Sequence, residues 1–115
     1  MCYNRSMRYG RVDNNQNEII STLRTIPGIS VANTSQLGDG FPDMVVGYEG
    51  FSFLFEIKDT GKRRHLTDAE RKFMHHWRGH YDVIESADEV LEIIGFDNTL
   101  NEEQLMELEN FRSGM

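Results

Sequence analysis

Cysteine is nearly missing from this 115-residue chain. Cys2 stands alone, so neither an internal disulfide nor a cysteine-based zinc site can form. Only two prolines occur, Pro27 and Pro42, and no low-complexity tract or internal repeat interrupts the chain. No run approaches the roughly 18 apolar residues that a membrane-spanning helix needs, and the opening MCYNRSMRYGRVDNNQNE has no apolar core of the signal-peptide kind. These absences lead us to expect a cytoplasmic protein in a reducing compartment, with no membrane partner.

What is present fits an ordinary globular fold. Hydrophobic residues make up 38% of the chain and glycine contributes ten positions, enough apolar material for one modest core. The net charge of −7 seems unfavourable for a nucleic-acid partner until it is divided along the chain. Residues 1–81 carry 11 Lys/Arg against 9 Asp/Glu, a net of +2, whereas residues 82–115 carry 1 against 10, a net of −9. Seven of the twelve basic residues fall between Lys58 and Arg78. Phosphate binding follows local potential more than total charge, so this basic segment is a candidate contact surface.

Periodicity gives the order of elements. Ile19, Ile20, Leu23 and Ile26 have helical spacing, Asp13 or Asn14 offers a cap, and Pro27-Gly28 stops the helix. ISVAN (29–33) reads as a strand, and GFPDMVVGYEGFSFLFEIKD (40–59) as a hairpin. Thr67 and Glu70 have capping-box spacing ahead of a second helix, along one side of which Ala69, Phe73, His76, Trp77 and His80 are expected to fall, with Phe73 and Trp77 anchoring it to the sheet. His76 and His80 have ligand spacing there, but no third ligand accompanies them, so a helix face or a phosphate contact is the preferred reading. YDVIE (81–85) reads as a last strand. Ser86 and Glu89 form a second capping box ahead of a short helix. The expected fold is therefore α/β, in the order αβββαβα, with a mixed central sheet flanked by helices. We expect one domain over 1–95, its core at about 13–94, and an acidic helical extension over 96–115.

Three charges interrupt the hairpin. Side chains alternate faces along a strand, which puts Glu56 and Lys58 together opposite the Phe53, Phe55 and Ile57 face. A turn at Tyr48-Glu49, or a wider one from Gly47 to Gly50, sets Asp43 opposite Leu54 and diagonal to Glu56 on the same face. Two carboxylates this close repel one another and resist burial unless a cation joins them. An all-oxygen site favours Mg²⁺ or Mn²⁺, which needs few protein ligands and leaves positions for water and phosphate. Lys58 is placed to hold a nucleophilic water or to neutralise charge developing at phosphorus.

Pro42-Asp43 followed by Glu56-Ile57-Lys58 resembles the PD-(D/E)XK nuclease signature. The fuller string, GFPDMVV, FLFEIKD and LTDAERKFMHHW, is similar to the VRR-NUC group, whose small standalone members are similar to Holliday junction resolvases. The resemblance implies a restriction-endonuclease-like core, metal ligation by Asp43, Glu56 and the Ile57 carbonyl, and a catalytic role for Lys58. It also places Glu18 where the superfamily often carries another acidic residue. Members of the group often have glutamine where Glu70 stands, and no catalytic role is assigned to Glu70.

The expectation is a Mg²⁺- or Mn²⁺-dependent endonuclease acting on DNA, with no small-molecule cofactor. Lys62, Arg63, Arg64, Arg71 and Lys72 would grip backbone phosphates, which positions a duplex without reading its bases. The resemblance further implies structure-specific cleavage of branched DNA, such as four-way junctions, by a homodimer. Two alternatives remain: a non-catalytic DNA-binding or interaction module that keeps the nuclease fold, and a nuclease acting on RNA or single strands.

Overall fold

The helical stripe of Ile19, Ile20 and Leu23 does become buried. These residues lie on α1 (Gln16–Arg24) in the computed structural model, which describes residues 15–97. Thereafter come β1 (Ile29–Asn33), β2 (Met44–Tyr48), β3 (Phe51–Ile57), α2 (Asp68–His76), β4 (His80–Ile84) and α3 (Ala87–Ile94). The expected caps Asp13 and Asn14 and the acidic extension beyond Asp97 lie outside the described residues. None of the described helices is long and apolar enough to cross a membrane.

The sheet has the order β1-β2-β3-β4. Its first three strands are antiparallel neighbours and β4 runs parallel to β3. A parallel return needs a crossover, and residues 58–79, including α2, supply it. On one face, Met44, Val46, Phe53, Phe55, Ile57 and Ile84 pack with Ile19, Ile20 and Leu23 of α1 and Val90 and Ile94 of α3 in a single core. The other face carries α2, whose Phe73 ring stands 6.0 Å from Tyr81 on β4 and 5.3 Å from Phe41.

Each helix end has a local cause. Thr67 accepts the Glu70 N–H and Glu70 reaches back to the Thr67 N–H, so the predicted capping box starts α2. The second box forms only by half. Ser86 accepts the Glu89 N–H, but the Glu89 carboxylate takes the N–H of Glu85, one residue earlier than the motif requires. Asn15 occupies the N-cap of α1 without capping it; its amide donates instead to the carbonyls of Lys58 and Glu85. That amide ties together the ends of the two parallel strands.

Two expectations for α2 are corrected. The helix stops at His76, Trp77 adopts an extended backbone, and His80 begins β4. His76 and His80 therefore do not share a helix face, and the ligand spacing between them is lost. Trp77 does not anchor the helix to the sheet; it lies against Phe73 and remains 41% exposed.

The two border strands are each blunted by an arginine. Arg24 donates to the Val31 carbonyl of β1 and Arg63 to the Val83 carbonyl of β4, occupying acceptors that an added strand would use.

Gly40 sets the distance between the loop before β2 and α2. Its φ is +80°, and a Cβ there would lie 2.3 Å from the Ala69 carbonyl oxygen. Gly40→Ala is expected to destabilise the fold by about 2 kcal/mol or more, through left-handed strain and overlap with rigid backbone. A urea midpoint equal to that of the parent chain would contradict this contact.

Candidate active site

The hairpin turn fixes where the charges meet. Tyr48 pairs with Phe51 and Met44 with Phe55, so the two-residue loop is Glu49-Gly50, with φ of 54° and 84°. Both positive values suit the twist of a tight hairpin. The expected turn at Tyr48-Glu49 is thus corrected by one position, and Leu54 faces Val45 rather than Asp43. Because the pairing moves by two residues in total, the faces are preserved. Asp43, immediately before the Met44–Phe55 pair, comes to lie beside Glu56.

Asp43 finishes the ladder with its side chain. Its N–H donates to the Phe55 carbonyl, and its Oδ2 accepts the Ile57 N–H at 2.8 Å. The carboxylate therefore stands where a β2 carbonyl would otherwise continue the pairing. Glu56 is more deeply placed, at 2% exposure, and its Oε1 is buried without a hydrogen-bond partner.

Lys58 links this pair to α2. Its Nζ lies 3.6 Å from Glu56 Oε2 and donates to Glu70 Oε1 at 3.0 Å. The same Glu70 oxygen accepts the Thr67 N–H at 2.9 Å. The capping box thereby pins the carboxylate that holds the lysine, so helix start and site geometry are one structure. Lys58 itself is 9% exposed, a depth at which a charged ammonium requires close anionic partners.

The carboxyl groups respond differently to this burial. Desolvation above all, and then repulsion from Asp43 and Glu70, push Glu56 up to about 10. Asp43 is also raised, chiefly by burial, which outweighs the Ile57 N–H that favours its charged form. Glu70 moves the other way. Burial opposes its ionisation, but the Thr67 N–H and the Lys58 ammonium together hold it below the usual range.

These residues line one cavity of about 400 Å³, together with Asp59, Lys62, His65 and Thr67. The structure therefore brings Asp43, Glu56 and Lys58 together as the hairpin reading expected, and adds Lys62, His65 and Glu70. Ile57 is adjacent through its N–H bond to Asp43. Glu18 is not in this group: it lines a separate recess with Asn15, Thr60, Glu85 and Asp88. Arg63 is bonded to Glu89 and lies 3.6 Å from Glu85, and it lines a recess apart from this cavity. Arg64 and Arg71 border a third recess, with Leu66, Met74 and Tyr81. Lys72 borders a fourth with Asp39, Phe73 and His76.

The Glu70 contact is the feature that sequence reasoning missed. Its capping spacing was visible, but the pairing to Lys58 crosses from the end of β3 to α2 and carries no local signal. His65 is equally hidden, in the basic stretch between β3 and α2.

No family model, curated protein or solved structure matches the chain. The site must therefore be judged on its own donors and acceptors. Among the described residues, no cluster of three or more His, Cys, Asp or Glu side chains is arranged to hold a metal. A hard divalent cation can nevertheless be held by one or two carboxylates, with water and substrate oxygens completing its shell. The partnerless Glu56 oxygen beside Asp43 fits that donor set, since a cation would relieve both the repulsion and the unmet acceptor.

Two outcomes follow for the metal-free protein. The folded chain keeps a proton on Glu56 that the unfolded chain loses near pH 4.5. The associated stability is complete below that pH and is lost as pH rises toward 10. Thermal midpoints in EDTA should therefore fall between about pH 5 and pH 9, and Glu56→Gln should flatten the fall; an unchanged slope in the variant would exclude Glu56 as its source. Glu70→Ala removes both the cap and the lysine's acceptor, at a cost of about 1 to 3 kcal/mol, whereas Glu70→Gln preserves the cap and loses less. Equal losses in chemical denaturation would separate Glu70 from Lys58.

Proposed function

We propose that the chain is a divalent-metal-dependent endonuclease that hydrolyses phosphodiester bonds in DNA, built on a restriction-endonuclease-like core of the VRR-NUC kind. One observation carries the reading. Glu56 presents a buried oxygen without a partner beside Asp43, in a cavity whose lysine is already oriented. Ion pairing with Lys58 explains Glu56 and Glu70, and the Ile57 N–H explains one oxygen of Asp43, but neither accounts for the buried, unpartnered Glu56 oxygen.

Asp43, Glu56 and the Ile57 carbonyl would hold Mg²⁺ or Mn²⁺. Bound there, the ion supplies a lowered pKa for water and stabilises charge developing on the phosphoryl oxygens. The chain's own residues do the positioning. Glu70 fixes the Lys58 ammonium at 3.0 Å, so Lys58 meets the scissile phosphate without first being ordered, orienting the attacking water or offsetting negative charge in the transition state. Lys62 and His65 border the same cavity and would receive the flanking phosphates, contacts that position the strand without reading its sequence. Branched DNA, cut by a homodimer, is the substrate class that the sequence resemblance favours.

Asp43→Ala, Glu56→Gln and Lys58→Ala are each expected to lower cleavage of plasmid and synthetic-junction DNA in Mg²⁺ or Mn²⁺ by at least ~100-fold. Mg²⁺ should also raise the thermal midpoint of the parent chain near neutral pH, and not that of Glu56→Gln. Normal cutting by these variants would overturn the assignment. DNA binding without nicking, under either metal, would favour a non-catalytic module.

A further inference from the structure

Away from the carboxylate cavity, the outer end of α2 carries an aromatic arrangement that the hydrolytic reading does not use. Phe41 meets Phe73 edge-on, with centroids 5.3 Å apart and planes at 70°. Phe73 in turn stacks on Trp77, again at 5.3 Å, with planes only 16° apart. Phe73 also contacts Tyr81 at 6.0 Å, so the ring beneath Trp77 is fixed from three directions. Trp77 is still 41% exposed.

The placement of this indole is built into the backbone. A Cβ on Gly79 would stand 2.8 Å from the indole nitrogen and 3.3 Å from the adjoining ring carbon. With a side chain at position 79, the indole or the chain entering β4 would have to shift. An indole needed only for packing would be turned inward to lose its open surface. Here it stacks on Phe73 and stays at the surface instead.

Its neighbours along the chain are cationic. Lys72 and Arg78 are exposed and unaccompanied by an acid between Arg71 and Gly79, and His75 and His76 lie on the last turn of α2. An exposed aromatic plane bordered by cations is how proteins hold unpaired nucleotides: a base stacks on the ring while Lys and Arg follow the phosphates. The position is also in reach of the cavity. Glu70 and Trp77 are seven residues apart along α2 and its cap, about 10 Å at helical rise, or roughly three base steps.

We propose that Trp77, supported by Phe73 and followed by the exposed Arg78, is a stacking site for an unpaired nucleobase in a single-stranded segment adjoining the bond to be cut. This rests on nucleic acid being the substrate and deepens that reading. The chain would act where duplex and unpaired strand meet.

Trp77 is the sole tryptophan of the chain, so its fluorescence reports this site alone. Full-length protein in EDTA, where no cleavage is required, would be titrated with single-stranded DNA, single-stranded RNA and blunt duplex DNA of equal length. Quenching by one or both single strands, with little change on duplex, is the expected result; the DNA and RNA arms show which sugar is preferred. Trp77→Ala should weaken single-strand binding roughly ten- to hundred-fold, measured by anisotropy of a labelled oligonucleotide. Trp77→Phe should retain most of it, and circular dichroism of both variants shows whether the fold persists. Binding without a fluorescence change, equal quenching by blunt duplex, or no single-strand binding at all overturns the proposal. So does a folded Trp77→Ala with undiminished affinity. Failure of metal-dependent cleavage with quenching intact would remove the hydrolytic reading and leave the stacking site standing.

Discussion

A carboxylate at 2% exposure with one oxygen unpaired is an expensive thing for a small domain to keep, and the arrangement around Glu56 shows how that expense is contained. Isolated, an ionised carboxylate at this depth would be driven to protonate. Lys58 offsets part of the penalty, but it leans toward Glu70, at 3.0 Å, more than toward Glu56, at 3.6 Å. Asp43 repels the ionised form of Glu56 and accepts a hydrogen bond from its protonated form. The local charge balance is thus incomplete, and a site left one cation short is a reasonable place to look for chemistry.

The fold concentrates these groups by topology. β2 and β3 bring Asp43 and Glu56 together through hairpin pairing, and the crossover to β4 lays α2 over the same end of the sheet. Glu70 is fixed by its own helix cap, so the orientation of Lys58 is set by backbone hydrogen bonding one element away. The opposite face, packed against α1 and α3, carries the main core. The core and the carboxylate cavity therefore lie on different sides of one sheet.

Much of this was readable in the residues, for identifiable reasons. The β1 boundaries followed from a short β-branched run, and the start of α2 followed from Thr67 and Glu70, because caps and strand composition act within a few residues. The hairpin was legible, but its turn was displaced by one position. Glu49 accepts a left-handed backbone beside Gly50, which let the loop close later than expected. Since strand faces repeat every two residues, the displacement left Asp43 and Glu56 together. Contacts between distant elements were not legible: Lys58 with Glu70, Arg63 with Glu85 and Glu89, and the withdrawal of Glu18 from the cavity all depend on how helices settle on the sheet. His80 was misplaced because the helical pattern continued past the point where Trp77 becomes extended.

The crossover has a bearing on how such a site changes over evolutionary time. Lys62 and His65 sit in the stretch between β3 and α2, whereas Asp43, Glu56 and the start of Lys58 belong to the hairpin. Insertions or deletions around Gly61 would remodel the entrance while leaving the strands that carry the paired acids in register. Sequence change there alters what borders the cavity without disturbing the pairing that brings Asp43 to Glu56.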